Sequence, residues 1–290
     1  METITLPSAQ ATLDRLEGHL VAAGAEGELA FGLLSRLLTE PAIWGDDVIM
    51  LLGMEGDEPS ALVMRTGRHP ALIVGFRDEA EIDYAQFVRA MRSRQMSPTS
   101  VNGAARCSIP FAAAWHGETG VETRTLRDLR AFELHALRPP RAPGGAARAV
   151  AAADTDLLLR WCTAFVQDIG EELTSIEAQA TVARFASRQD MLVWVVDDEP
   201  VAMAAINRRT PFSSCVAWVY TPPEHRRHGY ASAVVAALSQ RELDAGAQWC
   251  SLFTDLANPT SNHIYAELGY EPRCDYRHIE LRWNDEGGAP

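Results

Sequence analysis

One stretch constrains this chain more than any other: Tyr220-Thr221-Pro222-Pro223-Glu224-His225-Arg226-Arg227-His228-Gly229-Tyr230-Ala231. It stands between an apolar run with strand character, Ser214 to Val219, and a strongly helical one, Ala231 to Ala245. A strand that ends in a loop opening directly into a helix leaves the first backbone N–H groups of that helix unpaired. The helix dipole adds to their partial positive charge, which makes an anion site. Gly229 has no Cβ and lets an anion approach the backbone, and Arg226 can add a charge-assisted contact. The segment predicts a pyrophosphate-binding turn in an α/β protein.

The order of residues narrows this. Arg226-x-x-Gly229-x-Ala231 resembles the acetyl-coenzyme A loop of the GNAT superfamily of N-acetyltransferases, whose pattern is Gln/Arg-x-x-Gly-x-Gly/Ala. A second block, Leu252 to Tyr270, looks like the family's strand, then Asn258, then a short helix bearing Tyr265, then Leu268-Gly269-Tyr270. The two blocks stand in the family's order and at its spacing. Arg227 departs from the pattern: the family often has Gly there, so the loop is less open and offers a second guanidinium to a phosphate.

The resemblance implies a set of roles. Arg226, Arg227, His228, Gly229, Tyr230, Ala231 and Ser232 would clamp the pyrophosphate of acetyl-coenzyme A. The strand end Val219, Tyr220 and Thr221 would bind the pantetheine arm, splayed from its neighbour, with the N–H of Val219 polarising the thioester carbonyl. Tyr265 matches the position whose phenol protonates the leaving thiolate, and Asn258 and Asn262 match positions that hydrogen-bond the arm. Asn258, before Pro259, also reads as a helix cap. A primary alkylamine has a pKa of about 10.4, so its proton must be taken up near neutral pH. Glu224, close to the loop, is a candidate base, although a solvated surface carboxylate accounts for it better; a water chain to a distant carboxylate is another option, and the base stays open. Glu171 and Glu172 follow Gly170 where the family builds part of its acceptor site.

Composition bounds the rest. The chain has 290 residues, room for one large domain or two ordinary ones. Its net charge is −13 and its pI about 5.1, which argues against nucleic acid or an anionic membrane as partner and is compatible with a cationic acceptor. No run of apolar residues is long enough for a transmembrane helix, and the start has no basic region followed by an apolar one. Cys107, Cys162, Cys215, Cys250 and Cys274 are scattered and form no C-x-x-C, which reads as reduced thiols in the cytoplasm. His225 and His228 lie three apart with no third ligand nearby, so no metal is expected. All 26 basic residues are Arg, so such an enzyme has no lysine side chain of its own to acetylate.

Pro139-Pro140-Arg141-Ala142-Pro143-Gly144-Gly145-Ala146-Ala147 cannot continue a helix or a central strand. It is expected to be a linker (139–147) between a first domain, 1–138, and a second, 148–290. In the second, apolar periodicity predicts helices Thr155 to Asp168 and Ser175 to Ser187. Strands Met191 to Val196, Val201 to Asn207 and Ser214 to Tyr220 follow, then helix Ala231 to Ala245, strand Gln248 to Thr254, helix Thr260 to Leu268 and strand Cys274 to Trp283. The first half repeats that order coarsely: helical Leu13 to Leu38, strands Asp47 to Leu52, Ala61 to Arg65 and Ala71 to Phe76, helix Glu79 to Arg94, strand Thr99 to Val101, helix Ala104 to Trp115 and a strand near Arg130 to Leu137. A mixed-sheet α/β fold is expected, GNAT-type by resemblance and arranged in tandem. The first domain lacks the phosphate-loop pattern; Asn102-Gly103-Ala104-Ala105 occupies its rough place without a basic residue ahead.

The expected function is transfer of acetyl from acetyl-coenzyme A to a primary amine, small-molecule or peptide, in a ternary complex, because no cysteine adjoins the motifs. The first domain would cover the acceptor cleft or mediate homodimerisation. Two other readings stay open: a non-catalytic acyl-coenzyme A binder, and a synthase that acylates amino-sugar thiols.

Overall fold

The computed structural model describes residues 2–40, 47–67, 69–141 and 143–283. The chain runs through the same element order twice. The first pass is β1 (Glu2–Thr5), α1 (Ala9–Ala22), α2 (Ala25–Thr39), β2 (Val48–Glu55), β3 (Glu58–Thr66), β4 (Ala71–Gly75), α3 (Tyr84–Arg92), β5 (Ser100–Ala104), α4 (Ala105–Thr119) and β6 (Glu122–Leu134). The second is β7 (Ala146–Ala149), α5 (Thr155–Asp168), α6 (Ser175–Arg188), β8 (Met191–Val196), β9 (Glu199–Arg209), β10 (Ser213–Tyr220), α7 (Tyr230–Asp244), β11 (Trp249–Asp255), α8 (Pro259–Glu267) and β12 (Glu271–Arg282). Pairing repeats as well. β1 to β4 form successive antiparallel pairs and β4 is parallel to β5; β7 to β10 do the same and β10 is parallel to β11. Each parallel step needs a crossover, and α3 and α7 supply it.

By contacts the chain forms two units. Of the described residues, one holds those through Ala131, Thr254–Asn258 and those from Pro272 to Trp283; the other holds those of Phe132–Phe253 and Pro259–Glu271. This corrects the linear division expected at 139–147. β12 was expected to finish the second domain but pairs with β5 of the first unit, from Tyr276↔Ala104 to Glu280↔Ser100. It is held there by Arg130–Asp275 at 2.7 Å, by Arg277–Asp128, and by the Tyr276 hydroxyl donating to the Glu26 carbonyl at 2.8 Å. The expected linker also contains structure: Ala146 and Ala147 open β7, paired to Val195 and Trp194. Its Ala142, and residues 284–290 of the expected second domain, lie outside the described residues.

In the first unit α3 and α4 pack Phe87, Met91, Phe111 and Trp115 on Val63, Ile73 and Val101, and Ile279 and Leu281 of β12 complete that core. The helix expected over Glu79 to Arg94 is broken. Glu79–Glu81 is a single 3-10 turn, Ile82 is extended, and Asp83 restarts the chain as N-cap of α3, its Oδ1 accepting from the Gln86 N–H at 3.1 Å.

The second unit's sheet is buried on both faces. Along β9, Ala202, Ala204 and Ile206 face the core made with Val234, Val235 and Leu238 of α7, while Met203 and Ala205 face Leu158, Trp161, Val182 and Phe185 of α5 and α6. The period-2 alternation of a strand puts them on opposite sides, and a strand covered on both faces reads as one apolar run.

Candidate active site

The described pairing of β10 with β11 ends at Val216↔Leu252, one residue after a first register shift against β9 between Cys215 and Val216, and β10 then continues to Tyr220. Against β9 the register goes from Ala217↔Ala205 to Tyr220↔Met203, so Trp218 and Val219 together oppose Ala204. This is a β-bulge, and Trp218 takes φ +55° to make it. A bulky residue in that region costs on the order of 1 kcal/mol or more. Aromatic packing offsets it: the Trp218 ring lies 5.2 Å from Phe165 and 5.8 Å from Phe185, and Tyr220 lies 6.1 Å from Trp161. The bulge re-aims Val219 where the ladder to β11 has ended.

After Thr221, whose buried Oγ1 has no hydrogen-bond partner among the described residues, Pro222 ends the strand and Pro223–His225 makes one 3-10 turn. Glu224 lies exposed on that turn. Arg227 at φ +67° and Gly229 at φ +84° then bring the backbone into α7. Gly229 is the N-cap and offers no side-chain oxygen, and the bond that closes the first turn runs from the Ala233 N–H to the Gly229 carbonyl at 3.0 Å. The N–H groups of Tyr230, Ala231 and Ser232 lead the helix and are left for an anion. Among the described residues a Cβ on Gly229 would meet only Pro143 Cγ, at 4.0 Å, so they leave the space in front of it open.

The two guanidinium groups of the loop differ. Arg226 is engaged within the unit: Nε donates to the Thr221 carbonyl at 3.0 Å and Nη2 to Asp168 Oδ2 at 2.6 Å. Arg227 is exposed. His228 stacks on Tyr230 with ring centroids 5.4 Å apart, and its Nδ1 is 3.3 Å from the His225 carbonyl. Among the described residues, no group of three or more His, Cys, Asp or Glu could hold a metal.

Tyr265 sits in α8, 8% exposed, between Phe132 at 6.4 Å and Tyr270 at 5.9 Å. Burial pushes its phenol up to about 12, so the hydroxyl keeps its proton at neutral pH. Asn262 lies three residues earlier on α8, on the same helix face, and Asn258 immediately precedes Pro259, the first residue of that helix. Glu171 and Glu172 are exposed in the α5–α6 connection. The site thus draws on the β10 end, the following turn, the α7 N-terminus and α8. Asp168 and the Phe165–Trp218–Phe185 cluster were not found from sequence. An aspartate ending a helix, where the dipole disfavours it, was the one available signal for Asp168.

The first unit has no counterpart. Its equivalent turn is the β4–α3 connection, 76–83, and not Asn102 to Ala105, which lies on β5 and the start of α4. That turn carries Asp78, Glu79, Glu81 and Asp83 against one cation, Arg77. Four carboxylates there would repel a pyrophosphate.

The family model for the GNAT acetyltransferases matches residues 157–270. Among solved structures, a GCN5-related N-acetyltransferase from Sphaerobacter thermophilus is similar, with TM-score 0.65 and 17% identity over 97% of this chain and 96% of that one. A GNAT-family acetyltransferase from Colwellia psychrerythraea is similar at TM-score 0.58 and 8% identity, over 98% of this chain and 100% of its own. A tandem GNAT protein from the clavulanic acid biosynthesis pathway gives 0.55 and 11%, over 98% and 99%. At these identities the likeness is one of fold. None of the curated proteins matches the chain. Residues 157–270, which carry the bulged strand, the loop and Tyr265, match the model of the GNAT family of acetyltransferases, and the chain has the fold of the GNAT acetyltransferases to which it is similar.

Proposed function

We propose that the second unit transfers an acetyl group from acetyl-coenzyme A directly to a primary amine, with Tyr265 as the acid. The observation that carries this reading is the conjunction of a bulged β10, unpaired amides at the start of α7 and a buried, protonated phenol in the same unit. The pyrophosphate would lie on the N–H groups of Tyr230, Ala231 and Ser232, with Arg227 beside it and open space before Gly229. The pantetheine arm would run along Val219 to Thr221, where the Thr221 hydroxyl still lacks a partner, with Asn258 and Asn262 as further donors. The amine nitrogen attacks the thioester carbon, whose oxygen takes a hydrogen bond from the Val219 N–H. The C–S bond breaks and the thiolate takes the Tyr265 proton. Glu224, on the turn, is the candidate to take the amine proton through water. Cys107, Cys162, Cys215 and Cys250 are all buried, and burial raises the Cys162 thiol to about 12, which favours direct transfer over an acyl-cysteine intermediate. The first unit would serve as a cover or dimerisation element, and the −13 charge favours a cationic acceptor.

Release of free coenzyme A thiol from acetyl-coenzyme A across a panel of primary amines tests this. Tyr265→Phe should lower kcat by about 10²- to 10⁴-fold, the usual contribution of general acid–base catalysis, and leave coenzyme A affinity within about twofold. Equal turnover by wild type and variant would remove Tyr265 from the mechanism. Cofactor binding with no turnover by either would favour a non-catalytic binder.

A further inference from the structure

Asp168 is the last residue of α5, where the helix dipole disfavours a carboxylate and favours a cation. Glu171 and Glu172 follow within four residues and deepen the negative field. Asp168 is nevertheless paired with a cation from a distant part of the chain: Arg226 Nη2 lies 2.6 Å from its Oδ2. Arg226 belongs to the loop to which the pyrophosphate binds in the function proposed above, and this inference rests on that reading. Its remaining contacts are the Thr221 carbonyl, through Nε, and the face of Tyr220, 6.0 Å from the guanidinium carbon. The arginine of the Arg226-x-x-Gly229 pattern is thus held on the α5 end of the unit.

We infer that Asp168 is a positioning residue that holds Arg226 in the ligand-free enzyme, and that the pyrophosphate competes with Asp168 for this guanidinium when coenzyme A binds. Two anions share one cation. A diphosphate carries more charge and can accept bidentate hydrogen bonds from the fork of an arginine, so the exchange proceeds toward the cofactor. Both side chains are about half exposed, 46% for Arg226 and 52% for Asp168, so water screens the pair and the competition is modest. The exchange also frees a carboxylate beside Glu171 and Glu172 only once the cofactor is in place. A cationic acceptor would then meet its full negative field after coenzyme A, which orders the two binding steps.

Calorimetric titration of coenzyme A into wild type, Asp168→Asn, Arg226→Gln and the double variant tests the competition. Asp168→Asn should tighten coenzyme A binding about two- to fivefold, Asp168→Glu should restore wild-type affinity, and in the Arg226→Gln background Asp168→Asn should change nothing. Unchanged or weaker binding by Asp168→Asn overturns the inference. So does tightening of equal size in both backgrounds, which would mean simple removal of a negative charge near a polyanion. In either case binding by the wild type leaves the acetyltransferase reading standing, whereas no binding by the wild type removes both.

Discussion

Arg227 and Gly229, two residues apart, both hold positive φ, +67° and +84°, and between them they turn the chain from the end of β10 into the start of α7. The left-handed region is open to glycine and costs other residues about 1–2 kcal/mol. The loop therefore meets its geometry once with glycine and once against a penalty. Arg227→Gly should leave stability unchanged within about 0.5 kcal/mol, because relief of strain and added chain entropy nearly cancel. Gly229→Ala has room for its methyl but not the right φ, and should cost about 1 kcal/mol, a fall in Tm of roughly 2–4 °C. Thermal melts of the two variants check the asymmetry.

Glu242 is the second unit's most heavily paired buried acid. It accepts from Arg209 at 2.7 and 2.9 Å, from Arg241 at 2.8 Å and from the Ser214 hydroxyl at 2.8 Å, and Arg209 also pairs with buried Asp190. Burial raises its pKa, but the hydrogen bonds from Arg209, Ser214 and Arg241 outweigh this and the net shift is downward. A depressed carboxylate stabilises the fold above its unfolded value of about 4.5 and loses that contribution as pH falls through the folded value. Glu242→Gln should cost about 3 kcal/mol at pH 7 in urea unfolding, since it leaves Arg209 short of a charge partner, and the gap to wild type should narrow below about pH 4.5.

Tyr265 sets the alkaline behaviour. Its phenol is held up to about 12 by burial, whereas the unfolded phenol ionises at about 10. The folded state therefore keeps a proton that the unfolded state loses, so stability from this group is full below pH 10 and disappears between about 10 and 12. In the proposed role of acid, Tyr265 would stay protonated throughout the range in which an alkylamine deprotonates. The pH profile of kcat/KM should rise to about pH 10 with no falling limb from Tyr265, and a falling limb centred below pH 9 would contradict that.

β12 belongs to the first unit. Ile279 and Leu281 are 5% and 2% exposed in its core. Leu281→Ala should cost about 2–5 kcal/mol. The loss should appear as exchange of the β5 amides in Ser100–Ala104, not those of β8 or β9. Hydrogen exchange resolved by segment distinguishes the two.

The helices and central strands of the second unit were legible because their apolar periodicity is strong: Thr155–Asp168 and Met191–Val196 agree with expectation at both ends. β7 was not, because Ala146, Ala147 and Ala149 have no β-branching or bulk and follow a Pro/Gly cluster. Its strand state comes from β8 and from Trp194, whose Nε1 donates to the Gly144 carbonyl at 3.0 Å. The pairing of β12 with β5 is non-local, and nothing within residues 271–282 encodes it; the charges that Asp275 and Arg277 of β12 meet, Arg130 and Asp128, stand on β6, about 145 positions earlier. At the site, the loop and Tyr265 were readable as spacing. The bulge at Trp218 was not, since a tryptophan at positive φ is a tertiary compromise that Phe165 and Phe185 make tolerable.

In the proposed function the chain holds a single acetyl-coenzyme A site, on the loop before α7. Isothermal titration of acetyl-coenzyme A into wild type and Gly229→Glu, with thermal melts confirming that the variant is folded, tests it most directly. One site per chain is expected in the wild type and none in the variant, whose carboxylate would occupy the open space before the Gly229 backbone and repel the pyrophosphate. Two sites per chain, or binding that survives Gly229→Glu in a folded protein, would contradict it.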